Sequence, residues 1–248
     1  MTPQWLSAGV VFVVGAALGS FLNVVIYRLP RGESIVTPRS RCPHCGTPIA
    51  SRDNIPVLSF LLLRGRCRAC GKPISPRYLV VELLTGVLLA ALWVREGPGL
   101  GFAAGALLAL MLLSIFFIDL DHHIVPNAIS YPGLLVGLLL AIPQGRLLDA
   151  FLTAAGAGAF FLLIAVASRG GMGGGDIKLA AMIGAFLGYP ATVFALLVAF
   201  TTGAIAGLLL IATGRRSRKD PIPFGPSLAL GAVVAWFAAA PVIAWYLG

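Results

Sequence analysis

The chain has 248 residues, 58% of them hydrophobic and only 11% charged, with a mean hydropathy of +0.95. A soluble domain carries roughly 25% charged residues, so this composition excludes a soluble globule and implies several membrane spans. The net charge of +9 is unevenly spread, with ten of the 18 Lys and Arg between Arg28 and Arg77.

A hydrocarbon core about 30 Å thick needs roughly 20 apolar residues per helix, and the sequence supplies about eight such runs, some of them short. The predicted fold class is therefore an all-α polytopic membrane protein of about eight transmembrane helices. The first run, 6–28, has no basic segment before it and no small-residue cleavage site after it. Its basic residues follow it, which predicts an uncleaved first helix with its N-terminus outside the cytoplasm. A polar loop over 29–77 is rich in Pro, Arg and Cys. Further helices are predicted over 78–95, 100–118, 128–142 and 150–168. Pro126 marks a break after the third helix, because a residue before proline disfavours the helical region. A glycine run follows the fifth helix, and a short helix over 177–188 ends at Gly188–Pro190. Helices over 191–213 and 227–247 complete the chain. PIPFGP at 221–226, with three prolines and a glycine, reads as irregular. This divides the chain into a first span (1–28), a four-cysteine loop domain (29–77) and a membrane core (78–248).

Threading these segments alternately places 29–77, 119–127, 169–176 and 214–226 on the cytoplasmic side. Lys and Arg concentrate there, as loops held in the cytoplasm demand. The basic cluster thus reads as a topological signal; aromatic residues are sparse in it, which disfavours nucleic acid, while anionic membrane lipid remains a suitable partner.

The four cysteines form two pairs, CPHC and CRAC, 21 residues apart, each followed by glycine. Two such knuckles supply the four thiolates of a closed tetrahedral zinc site at Cys42, Cys45, Cys67 and Cys70. A cytoplasmic location opposes disulfides. Four thiolates leave no open position, so the predicted zinc is structural, stapling a loop too small for a large core. His44 reads as a surface residue.

Ionisable residues at or inside spans are functional candidates by default; here they are Glu82, Asp119, Asp121 and Asp176. Asp119 ends the run LLSIFFID, and Asp176 precedes IKLAAMIGAFLG. The threading puts both on one side of the membrane. Two carboxylates sharing a proton can serve as base toward water and acid toward a carbonyl oxygen, the chemistry of aspartic proteases. The glycines beside Asp176 would let a substrate backbone approach; the alternative is a flexible turn with Asp176 as a helix N-cap. Asp121, His122 and His123 read as solvated or interfacial. Lys178 either snorkels to the membrane surface or biases Asp176. Glu82 is either a helix-start residue or a substrate or cofactor contact.

Several longer strings now add up. GSFLNVVIYRLP at 19–30, the loop CPHC…NIPVLSFLLLRGRCRACGKPISPRYLVVELLTG, FIDLDHHIVPN at 117–127, GMGGGDIKLAAMIGAFLG at 171–188 and PFGPSLALGA at 223–232 occur in this order. Together they resemble the bifunctional type IV prepilin peptidases, GxGD-type membrane aspartic peptidases with an N-methyltransferase activity, nearly from end to end. One departure is RYL at 77–79, where the family often has RYP. The resemblance implies Asp119 and Asp176 as the catalytic pair, with Asp119 preferred over Asp121. It implies cleavage of the short basic leader of type IV prepilins or type II secretion pseudopilins at the cytoplasmic face of the bacterial inner membrane. It further implies methylation of the new N-terminal amine from S-adenosylmethionine, with Gly19, Ser20, Phe21, Asn23 and Glu82 in matching motifs. For Gly19 and Ser20 the alternative is close helix packing by small residues.

Overall fold

The computed structural model describes residues 4–168, 171–215, 217 and 222–247. Arg169 and Gly170, which open the glycine run, and most of the basic RRSRK stretch lie outside these. Among the described residues the regular structure is helical. The helices are α1 (Gln4–Arg28), α2 (Leu58–Leu62), α3 (Pro76–Glu96), α4 (Leu100–His122), α5 (Asn127–Ala141), α6 (Leu147–Ala167), α7 (Gly174–Leu187), α8 (Ala191–Ala212) and α9 (Gly225–Leu247). Among the described residues, six helices, α1, α3, α4, α6, α8 and α9, are long and apolar enough to cross a membrane. The other two predicted spans, α5 and α7, have 15 and 14 residues, so six spans, not eight, meet the length requirement. The chain divides into two compact units, 1–114 and 115–248.

In the first unit α1 and α3 pack as an antiparallel pair. The pairing runs from Gln4 Nε2 on the Val94 carbonyl, through Trp93 Nε1 on Ser7 Oγ, to Asn23 Nδ2 on the Tyr78 carbonyl. Small residues let the two backbones approach. A Cβ on Gly15 would stand 2.9 Å from Gly86 Cα, and one on Gly19 would stand 2.7 Å from Glu82 Cα. Ser75 caps α3, its side chain accepting from the Arg77 N–H, and Pro76 at the first helical position needs no hydrogen-bond partner for its nitrogen.

The loop between α1 and α3 holds two turns with the same hydrogen-bond pattern. In the first, the Cys42 N–H donates to the Thr47 carbonyl and the Gly46 N–H to the Cys42 carbonyl. In the second, Cys67 donates to Lys72 and Gly71 to Cys67. Gly46 and Gly71 take φ of +72° and +69°, the left-handed conformation that ends each turn. A five-residue helix, α2, which the sequence pattern did not predict, sits between the turns.

In the second unit α7 is the central element. Leu179, Ala180, Met182, Ile183, Gly184, Ala185 and Phe186 on it are all buried. It runs antiparallel to α6: a Cβ on Gly184 would meet the Ala154 backbone at 2.9 Å, and Gly158 faces Ala181. It runs parallel to α5, with Val125 against Gly175 at one end and Gly137 against Phe186 at the other. Helices α8 and α9 pair antiparallel, Gly231 lying on Ala195 and Ala199, and Gly203 on Phe224. Because α7 is enclosed by protein, its length is not held to the thickness of the lipid.

Candidate active site and metal centre

The α4 helix continues through Asp119 and Asp121 to His122, beyond the predicted end at 118. A short turn with His123 at φ +54° and Pro126 as the N-cap leads into α5. Since α5 and α7 are parallel, the end of α4 and the start of α7 share one side of this unit. Asp119 and Asp176, 57 residues apart in sequence, both lie on that side.

Asp119 is 5% exposed, and its Oδ2 accepts the backbone N–H of Gly225, 3.0 Å away, at the first residue of α9. A Cβ at 225 would lie 2.6 Å from that oxygen, so glycine is required for this approach. Pro226 follows in the first turn of α9. The last two residues of PIPFGP are thus helical, because proline is tolerated where the N–H has no helical partner.

Asp176 is half-buried, in the third residue of α7. The N-cap is Gly173, not Asp176, and the Asp176 N–H donates to the Gly173 carbonyl at 3.1 Å. An acidic group in the first turn also suits the positive end of the helix dipole. The Asp119 carboxylate is within electrostatic reach of Asp176. Gly175 makes this possible: a Cβ there would stand 2.9 Å from Cβ of the buried Val125, forcing α7 away from the α4–α5 turn. Gly174 has no neighbour within 4 Å of a Cβ, and a Cβ on Gly173 would only reach ordinary contact, 3.7 Å, with Asp176 Oδ2, so these two glycines leave space near the carboxylate.

Lys178 turns away from this pair: its Nζ donates to Asn127 Oδ1 and lies 5.5 Å from the Tyr131 ring centroid. Asp121 and His123 are exposed and His122 is half-buried. Among the described residues no metal-ligand cluster includes them.

The methyl-transfer candidates fall on the α1–α3 seam. Gly19, Asn23 and Glu82 are buried there, Ser20 is half-buried, and Phe21 is 47% exposed on the outside of α1. Gly19 is taken up by the contact with Glu82 Cα. Glu82 Oε2 accepts the Val57 N–H at 2.7 Å; among the described residues nothing donates to its other oxygen.

The Sγ atoms of Cys42, Cys45, Cys67 and Cys70 all lie within 4.8 Å of one another. Cys42 and Cys70 are 3.9 Å apart at sulfur, far beyond a disulfide bond of about 2.05 Å. Four thiolates at about 2.3 Å from a tetrahedral zinc ion would stand about 3.8 Å apart, so the cluster fits that ion. The electrostatics also favour a cation. The Thr47 side chain, then its backbone N–H, holds the Cys45 thiol down to about 6. Backbone N–H groups of Cys70 and Ala69 lower Cys67. The Lys72 N–H draws Cys70 down, but desolvation and the hydrogen bonds it shares with the other three thiols push it up to about 11. Crowded thiols therefore compete for protons that a metal would replace.

Fold and site thus define a class: a multi-pass helical membrane protein with two carboxylates near one another at helix ends and a loop whose four thiols could hold a metal ion. Comparison with known proteins narrows this. The description "Bacterial Peptidase A24 N-terminal domain" matches residues 13–96, and "Type IV leader peptidase family" matches residues 106–208. Several curated relatives carry the name prepilin leader peptidase/N-methyltransferase. The one from Aeromonas hydrophila is 39% identical, covering 98% of this chain and 94% of its own. The one from Bacillus subtilis (strain 168) is 35% identical over 96% and 97%. The one from Myxococcus xanthus (strain DK1622) is 48% identical over 85% of this chain, which spans 65% of that relative's length. No solved structure matches the chain. The chain belongs to the type IV leader peptidase family.

Two contacts at these sites have no counterpart in the sequence reading. The Gly225 N–H on Asp119 is a backbone donor 106 residues away; its only trace is the glycine between prolines in PFGP. The Glu82–Val57 bond likewise uses a backbone group, and no side-chain pattern marks it.

Proposed function

We propose that this protein is a membrane aspartic endopeptidase that removes the basic leader from type IV prepilins or type II secretion pseudopilins. It then methylates the new N-terminal amine. The observation that supports the peptidase reading is that Asp119 and Asp176, from separate helices, lie within electrostatic reach of each other, one carboxylate accepting the Gly225 N–H and the other near space left by Gly173 and Gly174. One carboxylate takes a proton from water as the oxygen attacks the peptide carbonyl carbon. The other, protonated, gives its proton to the carbonyl oxygen. The resulting diol collapses, the C–N bond breaks, and the leaving amine takes up a proton. The two uncrowded glycines, Gly173 and Gly174, admit the substrate backbone.

The loop over 29–77 acts as a small domain whose four cysteines hold a structural zinc. The closed four-thiolate shell keeps the metal out of the chemistry. For methyl transfer, Asn23 and Glu82 are the candidates that fit a bound amine or cation, being buried polar groups with Glu82 Oε1 unengaged by described residues. Gly19 serves packing, and Phe21 faces outward. S-adenosylmethionine, when bound, supplies an electrophilic methyl group; the chain's part is to hold the acceptor amine. We place the protein in the bacterial inner membrane with the aspartate pair at its cytoplasmic face, where a prepilin presents its leader.

The test is to change Asp119→Asn and Asp176→Asn separately and follow leader cleavage in membranes. Each variant inserts normally and cleaves at least about a thousandfold more slowly, because charge and proton transfer are both lost. Wild-type cleavage in either variant removes that residue from the pair.

A further inference from the structure

The loop between α1 and α3 carries a bare apolar face that neither the catalysis nor the metal uses. On α2, Leu58, Leu61 and Leu62 are 49%, 59% and 72% exposed. The inward side is held in place: buried Ser59 donates to the Arg52 carbonyl at 3.0 Å and accepts the Ile55 N–H at 2.9 Å. The leucines therefore cannot simply roll inside.

The depth of α2 is set independently. Glu82 Oε2 accepts the N–H of Val57, the residue that opens α2. Glu82 lies six residues after Pro76, about 9 Å along the axis of α3 at 1.5 Å per residue. That helix is about 30 Å long, the thickness of the hydrocarbon core. The tether thus pins α2 alongside the first turns of a membrane span, and interfacial helices seat their apolar face about 5–10 Å into the headgroup and acyl boundary.

Charge decides what covers the face. Residues 29–77 contain nine Lys or Arg and two acidic residues, Glu33 and Asp53. Asp53 is already committed to Arg68 in a two-pronged pair at 2.7–3.0 Å. Arg52, Arg64 and Arg66 flank α2 and are exposed. This surround repels a basic peptide and suits an anionic one, and the apolar leucines beside it suit acyl chains.

We propose that residues 55–66 form an interfacial anchor. Leu58, Leu61 and Leu62 enter the acyl region of an anionic leaflet, while Arg52, Arg64 and Arg66 meet lipid phosphates. The anchor holds the cysteine loop flat against the membrane. This inference needs only the membrane reading and stands whether or not Asp119 and Asp176 are catalytic.

The experiment places p-benzoylphenylalanine at Leu61 or Leu62 in the full chain. The protein is reconstituted in nanodiscs of phosphatidylcholine, with or without phosphatidylglycerol. Val13, 66% exposed on α1, is the control for lipid photolabelling within a span. After illumination, the mass of each adduct identifies what touched the probe. Zinc content checks that the loop is intact. The expected result is lipid adducts at 61 and 62 as at 13, rising several-fold with phosphatidylglycerol at 61 and 62 only. Adducts to protein, whether another part of the chain or a second copy, overturn the proposal. So does the absence of adducts at 61 and 62 while position 13 labels. Equal labelling with and without phosphatidylglycerol overturns the role of the arginines.

Discussion

Gly225→Ala tests the aspartate geometry without touching an aspartate. The new Cβ would stand 2.6 Å from Asp119 Oδ2 and 3.0 Å from its Cγ. Ordinary contact begins near 3.4 Å, so the carboxylate must withdraw by about 0.8 Å. That shift breaks the 3.0 Å bond from the Gly225 N–H. A hydrogen bond to a charged group contributes about 1.5–3 kcal/mol, or roughly 10- to 150-fold in rate if it is needed in the transition state. Displacing a reacting group by about 1 Å costs about a hundredfold by itself. The two routes describe the same movement and converge on a loss of about two orders of magnitude in leader cleavage. Folding should survive, since alanine replaces glycine at a helical position where it is favoured by about 0.5–1 kcal/mol. The assay measures cleavage rate in membranes beside the thermal midpoint of the purified variant. A wild-type rate with an unchanged midpoint would falsify the claim that the Gly225 contact positions Asp119.

Two further outcomes concern the loop. Cys42→Ser removes one of four thiolates, so the purified variant carries well under one zinc per chain by elemental mass spectrometry, and the loop becomes protease-sensitive; full zinc occupancy would contradict the four-thiolate site. Asp53→Asn breaks the pair with Arg68, whose hydrogen bond holds the Asp53 carboxyl below the usual carboxylate range. A lowered folded-state value stabilises above the unfolded value and is lost as pH falls through the folded one. The variant's loop is thus more protease-sensitive than wild type near neutral pH, and the difference closes only as pH falls below the ordinary carboxylate range. The effect is small and fades with salt, because the Arg68 side chain is 55% exposed. A difference that persists unchanged in acid would show that the ion pair is not its source.

The helices were legible because long apolar runs in this chain have few structural alternatives. Their ends were less so. The string IDLDHH looked like an exit into water, yet α4 carries it as helix to His122, since polar side chains are acceptable at a membrane interface. The short α7 was placed correctly but counted as a span, because the sequence does not reveal that protein surrounds it. Helix α2 was invisible: five residues within a polar loop give no readable period. The cysteine cluster was readable in full, since two CxxC knuckles specify their own geometry. Asp119 and Asp176 stood out as carboxylates at the ends of apolar runs. What holds them did not. Gly225 and Gly175 act through a backbone N–H and through the absence of a side chain, and neither leaves more than a glycine in the sequence.

The central claim is that this chain cuts a prepilin leader and modifies the exposed amine. The most direct measurement incubates the purified protein with a prepilin and S-adenosylmethionine and weighs the product by mass spectrometry. The expected product lacks the leader and bears one added methyl group on its new N-terminal residue. Intact prepilin after incubation with a folded, zinc-loaded protein would contradict it.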